Sequence, residues 1–375
     1  MSKYRFQWCR MQTAVGSMNK PILALGLMSG TSLDGIDAAL VRTDGGSDVE
    51  TGLSISVPYE NGFRDRLRSV LGSDGPLEQV EQALTHLHVE AVQTLIAQAG
   101  LKPSGVDLIG FHGHTILHDP AQSRTWQIGD GAFLAEATGI DVVCDFRSND
   151  VAQGGQGAPL VPVYHLALAA DLETPLAVLN IGGVANVTYL NGDETSLVAF
   201  DTGPGGALTD DWMNRKLGRP YDAGGACAAT GTVSKPVLDQ LLNTPYFDKP
   251  PPKSLDRDEF DTNSVQGLSP ENGAATLTAF TCETIVRAVD HLPVRPERWL
   301  VTGGGRHNKF LMAQLRRSLG VPVDPVESVG WQGDALEAQA FAYLAVRSRR
   351  GLPLTLPGTT GVIMPQTGGV FFSKP

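Results

Sequence analysis

Gly26-Leu27-Met28-Ser29-Gly30-Thr31-Ser32-Leu33-Asp34-Gly35-Ile36-Asp37-Ala38-Ala39-Leu40-Val41 is the stretch from which the rest of the chain is read. An apolar run over 21–27 breaks into a polar turn and resumes at Ile36. Two strands joined by a glycine-bearing turn are therefore expected, with Asp34-Gly35 supplying the turn chemistry. One glycine and one Asp suffice for a turn. This one also carries two hydroxyls, a second glycine and the carboxylate of Asp37 just inside the returning strand. Such a loop suits phosphate and magnesium: Gly30 lets backbone N–H groups approach phosphate oxygens, Thr31 and Ser32 add donors, and Asp34 can hold a metal directly or through water. A tight hairpin whose hydroxyls cap its own backbone is the alternative.

Outward from the hairpin, a chain of 375 residues exceeds one ordinary core, so two domains are expected. The element pattern puts them at 20–145 and 146–333, with a C-terminal helix in 334–375 packing back on the first. A net charge of −11 argues against a nucleic-acid or acidic-membrane partner, so an anionic substrate must be met by local donors. Cys9, Cys144, Cys227 and Cys282 form no CxxC pair, which points to neither a disulfide framework nor a zinc site and fits a reducing cytoplasm. Residues 1–19 lack the apolar core of a secretory signal, and no run of about 18 apolar residues suggests a membrane span.

Further strands are expected at 53–57, 106–111, near Trp126 and at 140–145, with helices over 76–99 and 131–138. The second half repeats the plan. Strands at 176–180 and 184–190 flank Ile181-Gly182-Gly183, a third strand follows at 197–201, and helices follow at 206–216, 233–242 and 270–291. A strand at 298–302, a glycine triplet and helices at 308–319 and 334–347 complete it. The order of elements recurs without a visible sequence repeat. The fold class read from this is α/β: two similar halves with a cleft between them.

Six places carry candidate chemistry. His112-Gly113-His114 is expected at a strand end, where the two histidines suit substrate hydrogen bonding or packing more than a metal. The segment after Cys144 bears Asp145, Arg147 and Asp150 among glycines, and Arg147 offers a fork for a substrate carboxylate, with an Asp150 helix cap paired to Arg147 as the structural alternative. Gly182-Gly183 mirrors the first turn. Asp201, in Phe200-Asp201-Thr202-Gly203-Pro204-Gly205, is expected at a strand end as a projecting carboxylate or a helix N-cap. Gly303-Gly304-Gly305, between a strand and a helix, can pack against a purine or approach phosphates, and Glu337 is a surface glutamate or a sugar contact.

Taken together, the strings G-L-M-S-G-T-S-L-D-G-I-D, D-F-R-S-N-D-V-A-Q-G-G-Q-G-A-P-L-V-P, L-N-I-G-G-V-A-N-V-T and F-D-T-G-P-G resemble those of the anhydro-N-acetylmuramic acid kinases, a bacterial branch of the actin/hexokinase/Hsp70-like ATPases. The resemblance implies two actin-like (ribonuclease H-like) halves and a reaction in which ATP and water convert 1,6-anhydro-N-acetylmuramic acid to N-acetylmuramic acid 6-phosphate during peptidoglycan recycling. It implies ATP contacts from Gly30, Thr31, Ser32, Leu33, Asp34, Gly35, Ile36 and Asp37, then from Gly182, Gly183, Gly203, Gly303, Gly304 and Gly305. Magnesium would accompany ATP at Asp34. Sugar contacts fall to His112, Arg147, Asp150 and Glu337, the general base to Asp201 with Asp150 as runner-up, and a homodimer is usual. Gly206 stands where relatives often have Asn, and His114 where Gln is common, which touches the fine sugar contacts. An ordinary sugar kinase or phosphatase of the same fold, and a nucleotide switch without enzymatic activity, are the other classes considered. The carboxylates Asp150 and Asp201 with Arg147 count against the switch.

Overall fold

A computed structural model describes residues 9–10, 20–30, 33–73, 77–255 and 259–375; Thr31, Ser32, Pro76 and nearly all of 1–19 lie outside the described residues. The chain divides into two compact units, one running to Leu172 and including Ala335–Pro375, the other Glu173–Asp334. The first division therefore falls later than the 145/146 boundary read from the sequence.

In the first unit, the strands are β1 (Cys9–Arg10), β2 (Ile22–Ser29), β3 (Gly35–Thr43), β4 (Val49–Pro58), β5 (Leu108–Asp119), β6 (Arg124–Ile128) and β7 (Val142–Cys144). Between and after them run α1 (Asn61–Ser69), α2 (Glu78–Gln98), α3 (Gly131–Thr138), α4 (Ser148–Ala152) and α5 (Pro162–Leu168). The second unit contains β8 (Leu176–Ile181), β9 (Val184–Leu190), β10 (Val198–Pro204), α6 (Ala207–Leu217), α7 (Lys235–Leu242), α8 (Pro270–Ala288), β11 (Arg298–Thr302), α9 (Lys309–Leu319) and β12 (Val323–Pro325). The chain then returns to the first unit with α10 (Leu336–Arg349), α11 (Pro357–Thr360) and β13 (Val370–Phe372).

The two sheets share one topology. Counting five strands in each, the orders β4-β3-β2-β5-β7 and β10-β9-β8-β11-β12 are both 3-2-1-4-5. In both, the first three strands are an antiparallel meander, and the fourth and fifth run parallel to the first. The recurrence suspected from the order of elements is thus a repeat of topology, two α/β halves of the kind an actin-like ATPase has. The first sheet is enlarged by β1 and β13 at its edges and by β6 on β5.

Leu25, Leu27, Ile36 and Leu40 of the first hairpin are fully buried, each such side chain contributing about 1.5–3 kcal/mol. Helix α10 is buried on almost every side: residues 340–346 are mostly apolar, and the polar Gln339 and Arg347 at either end of that run are buried with them. It lies against β2 and β5 so closely that a Cβ at Gly26 would come within 1.7 Å of the Ala338 carbonyl oxygen, and one at Gly110 within 2.0 Å of that of Phe341. Bare backbone at these two positions is what seats the C-terminal helix. In the second unit Tyr189, Phe200, Trp299 and Val301 form one core with α8 and α9, and Trp212, Phe247 and Phe280 form another.

Candidate active site

Strands β2 and β3 pair with Met28 opposite Asp37, so the expected hairpin is present, and the Leu33 N–H bonds back to the Gly30 carbonyl across its turn. Leu33 sits at φ 58°, a left-handed conformation unusual for a leucine. Leu33 and Ile36 are buried, so only their backbone is available to a ligand. Gly35 packs against the carbonyl of Val57 on β4, where a Cβ would lie 2.3 Å away. Among the described residues of the turn, Asp34 and Asp37 give it a polar face, and the Ser56 hydroxyl donates to Asp37. Behind them Ser29 joins Tyr59 (2.6 Å) and His114 Nδ1 (2.9 Å) in a buried hydrogen-bonded row. Burial pushes His114 down to about 4, so it is neutral at physiological pH.

His112-Gly113-His114 does not end a strand. It lies inside the twelve-residue β5, which continues into its hairpin with β6. His112 Nδ1 bonds the Gly113 carbonyl at 2.8 Å and must donate there. This leaves Nε2 to accept from Arg147 Nε and Nη2, both at 3.1 Å. Burial, and then the Arg147 charge, hold the His112 pKa well below the usual value. Arg147 also donates to the Gly157 carbonyl at 2.6 Å; burial lowers it to about 10, so it stays charged. Next to His112 opens a cavity of about 160 Å³ whose walls include Asp145 and Ser148.

The glycine-rich segment after β7 is not simply a loop, because 148–152 forms the short helix α4, with Asp150 in it. Arg147, not Asp150, is the N-cap residue of that helix, while the Asp150 charge does reach Arg147 and opposes the lowering of its pKa by burial. Asp150 is buried, its Oδ2 accepting from the Gly157 N–H at 2.6 Å and its Oδ1 from the Thr360 hydroxyl at 2.6 Å. Glu337, in the first turn of α10, is open to solvent at its side chain. The protein mass around it still raises its pKa, Arg147 opposes the rise, and Asp37 and Asp34 add to it. Glu337 thus lies within electrostatic reach of Arg147, Asp37 and Asp34, and Arg147 within reach of His112, in the first unit.

In the second unit, Asp201 lies within β10 rather than at its end, beside a bulge between Asp201 and Gly203. The N-cap of α6 is Gly206, so Asp201 is not the helix cap. A half-buried carboxylate, it accepts the Leu255 N–H at 2.8 Å; burial pushes it up to about 7, and that one bond opposes the rise. Gly303 and Gly305 serve the fold. A Cβ at either would meet the end of β8, 2.4 Å from Asn180 Oδ1 or 2.4 Å from Ile181 Cγ2. Around Gly304 there is nothing within 4 Å, and at Gly182 and Gly183 a Cβ would find its nearest neighbour only at 3.6 Å. At these three a ligand has room beside the backbone, with the Gly182 N–H and carbonyl already bonded to Val184 and Gly206 and the Gly183 carbonyl to Gly205, whereas Gly203 is pressed against Thr284.

The sequence pattern of the anhydro-N-acetylmuramic acid kinase family matches residues 22–374. The chain belongs to the anhydro-N-acetylmuramic acid kinase family. Anhydro-N-acetylmuramic acid kinase of Paramagnetospirillum magneticum is 58% identical over 351 residues, covering 93% of this chain and 99% of that one. The kinase of Rhizorhabdus wittichii is 54% identical over 358 residues, covering 93% and 98%, and that of Rhodospirillum rubrum 55% over 356, covering 94% of each. As a member of this kinase family the chain is an enzyme that uses ATP on a sugar. Among the described residues of this kinase, no helix is long and apolar enough to cross a membrane.

Sequence reasoning passed over Thr360 and Leu255, which reach the candidate carboxylates, and Lys253, whose carbonyl accepts the Asp201 N–H. Thr360 lies in the C-terminal segment, and Leu255 acts through its backbone. Only the proline run Pro250-Pro251-Pro252 before Lys253 marked that loop, and a proline run names no partner.

Proposed function

We propose that the chain phosphorylates 1,6-anhydro-N-acetylmuramic acid with ATP and water, opening the anhydro ring to give N-acetylmuramic acid 6-phosphate in cell-wall recycling. Asp201 carries the reading. A general base works best when its pKa lies near the working pH, and Asp201 is held at about 7. In this mechanism it takes a proton from water as the water attacks the anomeric carbon, the bond from that carbon to the bridging oxygen breaks, and the released oxygen at position six takes the γ-phosphoryl group of ATP. Asp150, the runner-up, is less suited because both of its oxygens are engaged by Gly157 and Thr360.

Gly182, Gly183 and Gly304 fit nucleotide binding, since they present backbone with open space beside it, and the turn of Gly30, Thr31, Ser32 and Asp34 is assigned to the phosphates. Magnesium is assigned with ATP to Asp34. The charges of Asp37 and Asp34 both reach Glu337, which suits a divalent ion nearby, while no three described residues are grouped tightly enough to hold one unaided. That combination suits an ion completed by phosphate oxygens and water, whose chemistry is to neutralise charge on the transferring group. Arg147, oriented by His112, is assigned to the sugar carboxylate, with Glu337 on the sugar hydroxyls. A homodimer in the cytoplasm completes the proposal; the absence of paired cysteine motifs supports the compartment.

Turnover of the purified protein with ATP and the anhydro-sugar in heavy-oxygen water tests the reading. One solvent oxygen at the anomeric carbon of the product is expected. Label in the phosphate instead, or ATP hydrolysis without sugar, overturns it.

A further inference from the structure

Lys253 is a buried cation that neither the motifs nor the mechanism uses. It is 8% exposed, and its ammonium donates to the carbonyls of Tyr246 and Phe247, both at 3.2 Å, and stands 3.2 Å from His291 Nε2. It lies 4.9 Å from the ring centroid of Tyr246 and 5.6 Å from that of Phe200. A buried lysine is retained only where acceptors and π-faces offset its desolvation. Here desolvation still lowers it to about 8, with Asp248 opposing the fall and Lys249 adding to it.

The segment gathered by that ammonium is the one that encloses Asp201. The Tyr246 hydroxyl donates to the Asp201 carbonyl at 2.6 Å, the Asp201 N–H donates to the Lys253 carbonyl at 3.0 Å, and the Leu255 N–H donates to Asp201 Oδ2 at 2.8 Å. Asp201 is therefore gripped at its N–H, its carbonyl and its carboxylate by residues 246–255. One side chain, Lys253, ties the two ends of that grip together.

We infer that Lys253 is a positioning residue for the Asp201 base, closing the 246–255 segment into a clamp that holds the Leu255 N–H on the carboxylate. The inference rests on Asp201 being the base. The Lys253 charge is not itself among the causes that shift Asp201, whereas the Leu255 N–H bond is. The lysine accordingly acts through the backbone it gathers. Loss of that N–H removes the one interaction lowering the Asp201 pKa, so the pKa rises.

The test compares three full-length variants at saturating ATP and anhydro-sugar: Lys253→Met, Asp201→Asn, and the chain with Leu255 replaced by its α-hydroxy acid, which turns the N–H into an ester oxygen. Lys253→Met and the ester should each lower kcat about 10- to 100-fold, the scale of a small misplacement of a reacting group. KM for both substrates should change less than about threefold, and the acid limb of the kcat profile should move to higher pH. The other ionisable groups facing the clamp are Lys253 itself, Tyr246, Asp248, Lys249, Glu259 and His291. The ester leaves all of them in place, so a shift of the limb in the ester is assigned to Asp201. Unchanged kcat and acid limb in the ester overturns the clamp, even if Lys253→Met fails to fold. So does a Lys253→Met variant that lowers only the melting temperature. Near-normal turnover in Asp201→Asn overturns the base assignment instead, which separates the two failures.

Discussion

The hydroxyl of Thr360 donates to Oδ1 of Asp150 at 2.6 Å across 210 residues of sequence. The same carboxylate receives the Gly157 N–H, and the Thr360 carbonyl accepts the Gln156 N–H at 2.7 Å. The glycine-rich segment beside Arg147 and the C-terminal segment are thereby stitched at one buried charge.

Thr360→Val should destabilise the protein by about 1–3 kcal/mol, because it leaves a buried carboxylate oxygen without its donor. Asp150→Asn should cost a similar amount, the two changes should be non-additive in a double-mutant cycle read by urea unfolding, and the KM for sugar should rise. If Asp150→Asn instead keeps its stability and sugar KM while turnover collapses, Asp150 becomes the base.

Asp201→Asn should depress kcat by roughly 100-fold or more with both KM values nearly intact, since Asn keeps the volume but cannot take the proton. It should also change how stability depends on pH. The Asp201 pKa is raised from 3.8 in the free side chain to about 7 in the fold, so between those values the folded state holds a proton that the unfolded state has released. That term stabilises the fold at low pH and is lost as pH climbs toward 7. Relative to the parent, the Asn variant should therefore gain stability from pH 4 to pH 8. Urea melts showing a constant difference between the two proteins would place the Asp201 pKa at its ordinary value.

Histidine burial predicts the opposite slope for the first unit. Burial lowers His88, His114 and His118 to about 4 and His165 to about 3, and lowers His112 as well. Below pH 6.5 the unfolded chain takes up protons that the fold refuses, so stability falls as pH drops from 6.5 toward 4. Each histidine contributes up to about 1.4 kcal/mol per pH unit. His88→Phe, at a fully buried ring packed 4.8 Å from Phe111, should reduce that slope by one proton. An unchanged slope would mean His88 is protonated in the fold.

Neighbouring glycines should separate nucleotide handling from folding. Gly305→Ala forces a methyl onto Ile181 and should cost about 1–3 kcal/mol in stability. Gly304→Ala meets no neighbour, so stability should stay within about 0.5 kcal/mol while the KM for ATP rises. An unaltered ATP KM in Gly304→Ala would remove Gly304 from the nucleotide site.

The sequence by itself determined what contiguous residues can write. Alternating apolar runs broken by Ser29 to Gly35 and by Gly182-Gly183 specify hairpins through turn chemistry alone, and the same strings carry the family. Helix α3 and strand β11 came out with the expected bounds for that reason. Short helices such as α4 and α5, and the edge strands β12 and β13, were not expected, since three to seven residues hold too little periodicity and are kept by their neighbours. What each carboxylate can do was decided only in three dimensions. The proton affinity of Asp201 depends on burial and on an N–H 54 residues away, Arg147 is aimed by a histidine 35 residues before it, and Asp150 is occupied from 210 residues beyond. A turn is a short-range property of dihedral angles. A pKa and a hydrogen-bond partner are set by whatever the fold brings within a few ångströms.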